Sequence, residues 1–257
     1  MLKERFPQKT NFVPHALPSE LFKKISQQDT VKYKKEILGE DREDHFVGIW
    51  VNRNAKRKRS NDVLVSFSNF LDMLEEKEGN RKATLIMHTE PTDPEGPNLS
   101  RDRLDFEKMN VLYNISDFCL NISFAEGFGL PTLESMMTGV PIIAAKTGGL
   151  TRQVVDHRDG SENGVAIDIK TKTLVGSQSV PYIYEDYVDN DDVAKAMYKL
   201  YCIDEKERTA LKNKIRKYAN EEFGYQDTID MWHNTMLETI KNFKEGKNKQ
   251  SWTLTEL

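Results

Sequence analysis

The segment FAEGFGLPTLESMMTGVPIIAAKTGGL, Phe124 to Leu150, constrains the fold more than any other part of the chain. Two carboxylates, Glu126 and Glu134, lie eight positions apart around a Gly-Phe-Gly turn. Pro131 stands where a helix begins, because its missing N–H is not needed in a first turn. Gly139 stands where that helix stops, and the apolar run Val140 to Ala145 follows at once. Loop, short helix and apolar strand in that order belong to a parallel α/β sheet. A glycine-rich loop feeding a helix N-terminus binds anions, since unpaired N–H groups and the positive end of the helix dipole point the same way. Gly127 and Gly129 let backbone approach a ligand closely. Glu134 falls in the first helical turn, where a carboxylate can accept two hydrogen bonds from a vicinal diol such as a ribose. Glu126, on the loop, is free to reach a second ring. Phosphate and hydroxyls together fit a nucleotide sugar. Either acid alone reads more readily as an ordinary polar residue at the mouth of a βαβ unit than as a site; the constellation favours the site.

Apolar runs alternate with amphipathic segments along the rest of the chain, which predicts β–α units. Strands are expected at 45–51, 83–88, 118–122, 141–144 and 165–169, with a short candidate at 11–13. Helices are expected at 30–38, with Asp29 as cap and Gly39 as stop, and at 60–76, 106–114 and 131–138. A helix opening at Gly148-Gly149 runs to about Asp156. Ser19 to Ile25 forms a short helix or turn, and TKTLVGSQSVPYIYEDYVD is extended and irregular. Three helices, 191–201, 204–222 and 225–243, close the chain. The expected organisation is a hinge-like segment 1–24, one Rossmann-like domain 25–243 and a loosely ordered tail 244–257.

The chain has 257 residues, formal net charge −4 and two cysteines, Cys119 and Cys202. A chain of this length buries roughly 70–75% of its unfolded surface without disulfide staples. The cysteine usage fits a reducing compartment. The net charge does not advertise nucleic acid. The polar start MLKERFPQKTNFVPHALP does not read as a signal peptide, and no apolar run reaches the ~20 residues of a spanning helix. A soluble, cytoplasmic protein is expected.

VNRNAKRKRS, Val51 to Ser60, places five basic residues within seven positions. It reads as a nucleic-acid patch, a solvated turn or a pyrophosphate clamp. The run follows a buried strand and precedes a helix, at the carboxyl edge where ligands bind in such sheets. Negative net charge and the lack of interleaved aromatics weigh against nucleic acid. The five histidines show no metal-ligand spacing. His88, at a strand end, reads as core or as facing the pocket. Asp189-Asn190-Asp191 spells D-x-D, but it precedes a helix and helix capping explains it. No G-x-G-x-x-G follows the first core strand, which argues against a nicotinamide oxidoreductase.

EGFGLPTLE followed by GVPII resembles glycosyltransferase family 4, the glycosyl transferases group 1 enzymes, whose signature is E-G-F-G-x-P-x-x-E followed by G-x-P-V. YNISDFCLNISF resembles that family's strand leading into the loop, and Arg53-Asn54-Ala55-Lys56-Arg57-Lys58 its R-N-x-x-R-K. The resemblance spans Phe12 to Phe243. It implies a retaining enzyme of the GT-B fold, here the C-terminal, donor-binding half: an α/β domain with a single parallel sheet and helices on both faces. It implies that Glu134 holds ribose hydroxyls and that Glu126 contacts the donor sugar near the reacting carbon. Arg53 and Lys58 would bind the donor pyrophosphate, with Arg57 and Arg59 as weaker candidates. Gly127, Phe128, Gly129 and Leu130 would line sugar and phosphates, with Gly148-Gly149 as a close-approach turn. His15 falls in what resembles the hinge. No metal and no cofactor is implied, the donor being a UDP- or GDP-sugar and the acceptor a glycan or other hydroxyl. A catalytically inactive nucleotide-sugar-binding subunit is the alternative, and the acceptor side would come from a separately encoded domain or a homodimer.

Overall fold

The first core strand, β1 (Phe46–Val51), reads FVGIWV and has five of its six residues buried. Such a run has no polar face, so helices must cover both of its sides. In the computed structural model, which describes residues 10–90, 104–176, 178–179 and 182–246, it sits between β2 (Ala83–His88) and β3 (Phe118–Asn121). β4 (Ile142–Ala145) and β5 (Gly164–Ile167) complete a five-stranded sheet of order β2-β1-β3-β4-β5. Every neighbouring pair is parallel. The expected parallel α/β sheet is therefore present.

The connections are helical. α1 (Gln27–Leu38) precedes β1, and α2 (Ser60–Glu78), α3 (Phe106–Asn114), α4 (Leu130–Thr138) and α5 (Leu150–Val154) cross between strands. α6 (Asn190–Tyr201) and α7 (Glu205–Glu222) follow the sheet. α2 and α6 pack along one another and share one apolar cluster with the sheet, built from Val63, Phe70, Leu74, Val193 and Met197 against Phe46, Trp50, Phe118 and Ile143. Phe46 is its aromatic centre, with ring centroids 5.3 Å from Phe118, 6.0 Å from Phe70 and 5.5 Å from Tyr201. α4 packs with α3 and α7.

Several expectations change. α1 begins at Gln27, and its cap is Ser26, whose Oγ accepts from Asp29 N at 3.1 Å. Asp29 lies inside the first turn and binds the Ser26 hydroxyl at 2.7 Å, so a reciprocal pair replaces the single cap. Asn11 to Val13 forms no strand, and Ser19 to Phe22 forms turns. The segment expected to be irregular contains an antiparallel hairpin, β6 (Thr171–Val175) and β7 (Ile183–Tyr187), with Leu174 opposite Tyr184 and Val175 opposite Ile183. Cross-strand apolar and aromatic pairs stabilise such a ladder, and that gain is invisible until the two halves are read together.

Chain contacts divide the protein into Ser19–Glu222, which holds the sheet, and a second unit formed by Met1–Pro18 with Phe223–Leu257. In the second unit Leu17 bridges Gly224 in parallel, and α8 (Tyr225–Lys244) is its one described helix. The expected tail lies outside the described residues beyond Gly246. No helix among the described residues is long and apolar enough to cross a membrane.

Gly48 shows how tightly the sheet is filled. A Cβ there would stand 2.3 Å from the Phe118 ring. Gly48→Ala is therefore expected to lower the stability by about 1–3 kcal/mol, the usual cost of overpacking. Urea unfolding followed by circular dichroism measures it. An unchanged midpoint would mean that Phe118 can leave the β1 surface freely.

Candidate functional site

β1, β3 and β4 are neighbours running the same way, so the loops that leave their carboxyl ends converge on one edge. Each loop brings one part of the candidate site. After β3 the chain turns on Asn121, whose Oδ1 accepts from Ser123 N at 3.2 Å and from Ser123 Oγ at 2.7 Å. Phe124 then acts as a junction. Its N–H donates to the Arg57 carbonyl at 2.9 Å, and its carbonyl accepts from Asp186 N at 2.8 Å. Its ring lies 4.4 Å from that of Tyr187 and 4.9 Å from the Arg59 guanidinium. The basic loop after β1, the carboxylate loop after β3 and the hairpin strand β7 are thus fastened at one residue.

The basic run separates into roles that its sequence does not distinguish. Arg59 is buried with a left-handed φ of 58°. Its Nε donates to Asp62 at 3.0 Å and its Nη2 to the Val188 carbonyl at 3.3 Å, so it knits the scaffold. Lys56 and Arg57 are exposed and Arg53 is exposed on the loop. Lys58 turns inward and donates to Glu126 Oε2, with the two side chains only 8% and 12% exposed. Burial pulls the Lys58 ammonium down from its ordinary pKa, and the Glu126 carboxylate opposes that pull. The expected phosphate cation and the expected sugar-side acid are therefore bound to each other.

α4 opens at Leu130, one residue before the expected Pro131, so Glu134 is its fifth residue and stands just past the first turn in which it was expected. Tyr113 of α3 donates its hydroxyl to Glu134 Oε2 at 2.6 Å. Burial raises the Glu134 carboxyl above the usual range, and the Tyr113 hydrogen bond counteracts it. The same burial and the adjacent Glu134 hold the Tyr113 phenol well above its ordinary value. Tyr113 gave no functional signal in the sequence; only its place on an amphipathic helix was visible.

The glycines have distinct causes. Gly129 adopts a φ of +90°, and a Cβ there would stand 2.7 Å from Thr132 Oγ1. Gly148, at φ +48°, would place a Cβ 2.0 Å from the Glu126 carbonyl oxygen, and Gly149 donates its N–H to that oxygen at 3.1 Å. The close approach expected of this turn is made to the carboxylate loop itself. Gln153, fully buried on α5, donates to the carbonyls of Phe128 at 2.8 Å and Gly129 at 3.2 Å. Those bonds hold the loop from behind, and at the α4 N-terminus Leu133 donates its N–H to the Gly129 carbonyl at 3.3 Å. Gln153 was not foreseen, because a glutamine at a helix centre carries no motif.

Other candidates settle into supporting places. Asp189 caps α6, its side chain accepting from Asp191 N at 2.8 Å, while Asp191 accepts from Asn69 at 2.7 Å. Among the described residues no group of His, Cys, Asp and Glu is arranged to hold a metal. His88 ends β2, and burial lowers its imidazole pKa. Beside it, Asn52 Nδ2 and Thr89 Oγ1 are buried without a hydrogen-bond partner. Both lie at carboxyl ends of strands, where a bound ring would supply acceptors. The proline-rich loop TEPTDPEGPN that leaves β2 lies, beyond Glu90, outside the described residues.

Comparison with known proteins agrees with this geometry. Residues 103–175, which span the carboxylate loop, match the family described as glycosyl transferases group 1. The chain is 23% identical over 226 residues to the N-acetyl-alpha-D-glucosaminyl L-malate synthase of Bacillus anthracis, an alignment that covers 86% of this chain and 52% of that relative. It thus spans about half the length of that protein. An Anabaena protein, HepE, solved in complex with UDP-glucose, superposes with a TM-score of 0.54 at 16% identity, over 88% of this chain and 56% of that one. The C-terminal domain of LpcC, a glycosyl transferase group 1 family protein from Francisella tularensis, superposes with a TM-score of 0.53 at 16% identity. That match covers 81% of this chain and 99% of the domain. The fold and loops define one half of a GT-B architecture. Over residues 103–175 the chain is similar to the glycosyl transferases group 1 family.

Two outcomes follow from the buried acids. A carboxyl whose folded pKa is raised favours folding when protonated; that contribution is full below the ordinary carboxylate value and is lost as the pH rises through the raised one. At neutral pH the charged Glu134 is therefore a cost. Glu134→Gln removes it and keeps an acceptor for Tyr113. The variant should melt higher than the wild type at neutral pH, and the gain should vanish below the ordinary carboxylate range. Calorimetric scans over a pH series check this, and a variant that melts lower at neutral pH would contradict it. The second outcome concerns the ion pair. Lys58→Met or Glu126→Gln alone strips a partner from a buried charge, at a cost of about 3–5 kcal/mol. The double variant should cost clearly less than the two together. Additive costs in urea unfolding would show that the pair contributes nothing jointly.

Proposed function

We propose that this chain is the donor-binding half of a retaining, nucleotide-sugar-dependent glycosyltransferase. The observation that carries the reading is the Lys58–Glu126 pair, held at the carboxyl edge of the sheet beside the open N-terminus of α4. An ammonium, a set of free backbone N–H groups and two carboxylates within one loop cluster match the parts of a nucleoside diphosphate sugar. In this reading the N–H groups of the α4 N-terminus and Arg53 receive the diphosphate. Lys58 stands between the diphosphate and Glu126, balancing both. Glu134, steadied by Tyr113, accepts hydrogen bonds from the ribose diol. Gly127, Phe128, Gly129 and Leu130 line the sugar and phosphates, and the Gly148-Gly149 turn supports them from behind.

The reaction exchanges one bond for another. The bond from the anomeric carbon to the diphosphate oxygen breaks, and its electron pair leaves with the diphosphate. The acceptor hydroxyl oxygen bonds to that carbon and releases its proton. Fixed cations facing the departing diphosphate stabilise the charge as it develops, which is worth most where water is excluded. Glu126, near the reacting carbon, opposes the oxocarbenium-like charge. The reading invokes no metal. It favours a UDP-sugar, because HepE is a structural neighbour seen with UDP-glucose. The acceptor is a hydroxyl on a glycan or other molecule, and the acceptor-side groups come from a partner domain. Two free cysteines fit a cytoplasmic setting.

A thermal-shift panel of UDP, GDP, ADP and their sugars tests the reading on the chain as it stands. Ligand at about a hundred times Kd should add about 2.7 kcal/mol of stability. Arg53→Ala should weaken nucleoside diphosphate binding by about 1.5–3 kcal/mol in calorimetry. Glu134→Gln should weaken free nucleotide and nucleotide sugar alike. Glu126→Gln should spare free nucleotide and damage sugar-dependent binding or turnover. No stabilisation by any nucleotide would end the proposal. Nucleotide-sugar binding without donor consumption, even with acceptor and acceptor domain supplied, would favour an inactive binding subunit.

A further inference from the structure

A cavity of about 390 Å³ lies at the amino edge of the sheet, opposite the loops of the candidate site. It is walled by α1, by the turn leading into β1, by the segment between α3 and β3, and by the end of α6 with the first turns of α7. Its size falls within the range of small-molecule sites. Lys212 and Arg208, one turn apart on α7, both line it. Lys212 is half-buried, and among the described residues its ammonium has neither a hydrogen bond nor an ion pair. Burial pulls it below its ordinary pKa; Asp117 and Glu205 oppose that shift, and Arg208 and Lys24 add to it. An unpaired charge taken out of water is a cost to the fold, and such a group in a cavity points to a ligand.

The carboxylates around the cavity do not supply that partner. Asp117 is fixed by β1, its Oδ2 accepting from Val47 N at 2.8 Å. Glu43 is held by Lys35 at 3.0 Å and Asp44 by Lys82, and neither lysine lines the cavity. Arg208 is anchored from behind. Its Nη2 donates to the Leu200 carbonyl at 3.1 Å, and its guanidinium stands 5.5 Å from the Phe46 ring. Its Nη1 has no hydrogen-bond partner and lies 3.7 Å from Asp117 Oδ1. Lys34, also on the wall, is bonded to a neutral group, the His45 carbonyl, at 2.6 Å. Four cations, Lys24, Lys34, Arg208 and Lys212, thus face two carboxylates that no outside lysine neutralises, Asp117 and Glu205, which leaves an excess of two positive charges.

We propose that this cavity binds a small phosphate monoester, its phosphate against the Lys212 ammonium and in the field of Arg208. A phosphate monoester carries about −1.5 to −2 at neutral pH, which matches the excess. A single carboxylate would leave one buried cation uncompensated. The Lys212 ammonium gives the phosphate a charge-assisted donor, and the cavity leaves room for a hydroxylated body beside Gln27 and Tyr201. The walls all belong to the one unit Ser19–Glu222, so the site is complete in this chain. With the Arg208 side chain only 13% exposed, the cations are recessed from any flat anionic surface. The site is separate from the nucleotide site and does not rest on it.

Thermal melts and titration calorimetry of the full chain with glycerol 3-phosphate, inorganic phosphate, sulfate and glycerol read the binding. Glycerol 3-phosphate should raise the melting temperature saturably, inorganic phosphate more weakly, and glycerol at the same concentrations not at all. Lys212→Gln should weaken glycerol 3-phosphate binding by about tenfold or more, the loss of one charge-assisted contact. Without ligand that variant should melt no lower than the wild type, because it removes a buried unpaired charge. Val31→Trp, which fills the cavity from α1, should block binding through a different wall. Arg53→Ala, at the carboxyl edge, should leave glycerol 3-phosphate binding unchanged. A chain that glycerol 3-phosphate does not stabilise overturns the proposal. So does binding that survives both cavity variants, or an unsaturable shift equal for glycerol 3-phosphate and sulfate, which is a bulk-ion effect only. Binding lost in Arg53→Ala also overturns it, since the phosphate would then sit at the nucleotide site. Stabilisation by UDP, measured on the same variants, should not depend on Lys212, so the two sites stand or fall separately.

Discussion

Two backbone hydrogen bonds at Phe124 determine how the candidate site is held. The N–H of Phe124 reaches the loop after β1 through Arg57, and its carbonyl reaches β7 through Asp186. Its ring packs against both Tyr187 and the Arg59 guanidinium. Lys58 follows Arg57 and Glu126 lies two residues past Phe124, so these bonds place the ammonium on the carboxylate. Catalytic and binding residues gathered on loops need such an anchor, because the loops themselves carry few contacts.

The site is built at a cost to the fold. Lys58 and Glu126 give up hydration and recover it only from one another, and Glu134 is kept in surroundings that disfavour its charge. Apolar replacements at these positions would serve the fold as well or better. Perturbed, buried charges at the carboxyl edge of a parallel sheet are instead what a ligand-binding cleft shows. Glycines supply the rest of the geometry. Gly148 and Gly149 let one loop rest on the backbone of another, a contact that any Cβ would block.

The sheet was legible because three of its strands are almost wholly buried. FVGIWV, FCLN and IIAA have no polar alternation, so they announce burial on both faces. The carboxylate loop was legible because Pro131 and Gly139 bracket its helix and fix where Glu134 must stand. The hairpin was not. Its strands are mostly exposed, and Leu174 and Tyr184 stabilise it only across the turn. Asp29 was mistaken for a cap because aspartate and serine serve equally well there, and only the backbone angles of Ser26 distinguish them.

The sequence by itself determined that this is a parallel α/β protein with two acids, four loop glycines and a basic run at the sheet's edge, similar over residues 103–175 to the glycosyl transferases group 1 family. Those features are local: each depends on residue type and spacing within one strand–loop–helix unit. Tertiary structure decided the pairings. It placed Lys58 rather than its four basic neighbours on Glu126, gave Arg59 to the scaffold, and brought Tyr113 to Glu134 and Gln153 behind the loop. These partners lie 3 to 68 positions apart in the chain. Apart from Arg59 and Asp62, a turn apart on one helix, no local pattern encodes them; which side chains meet is set by how the parallel strands lie side by side.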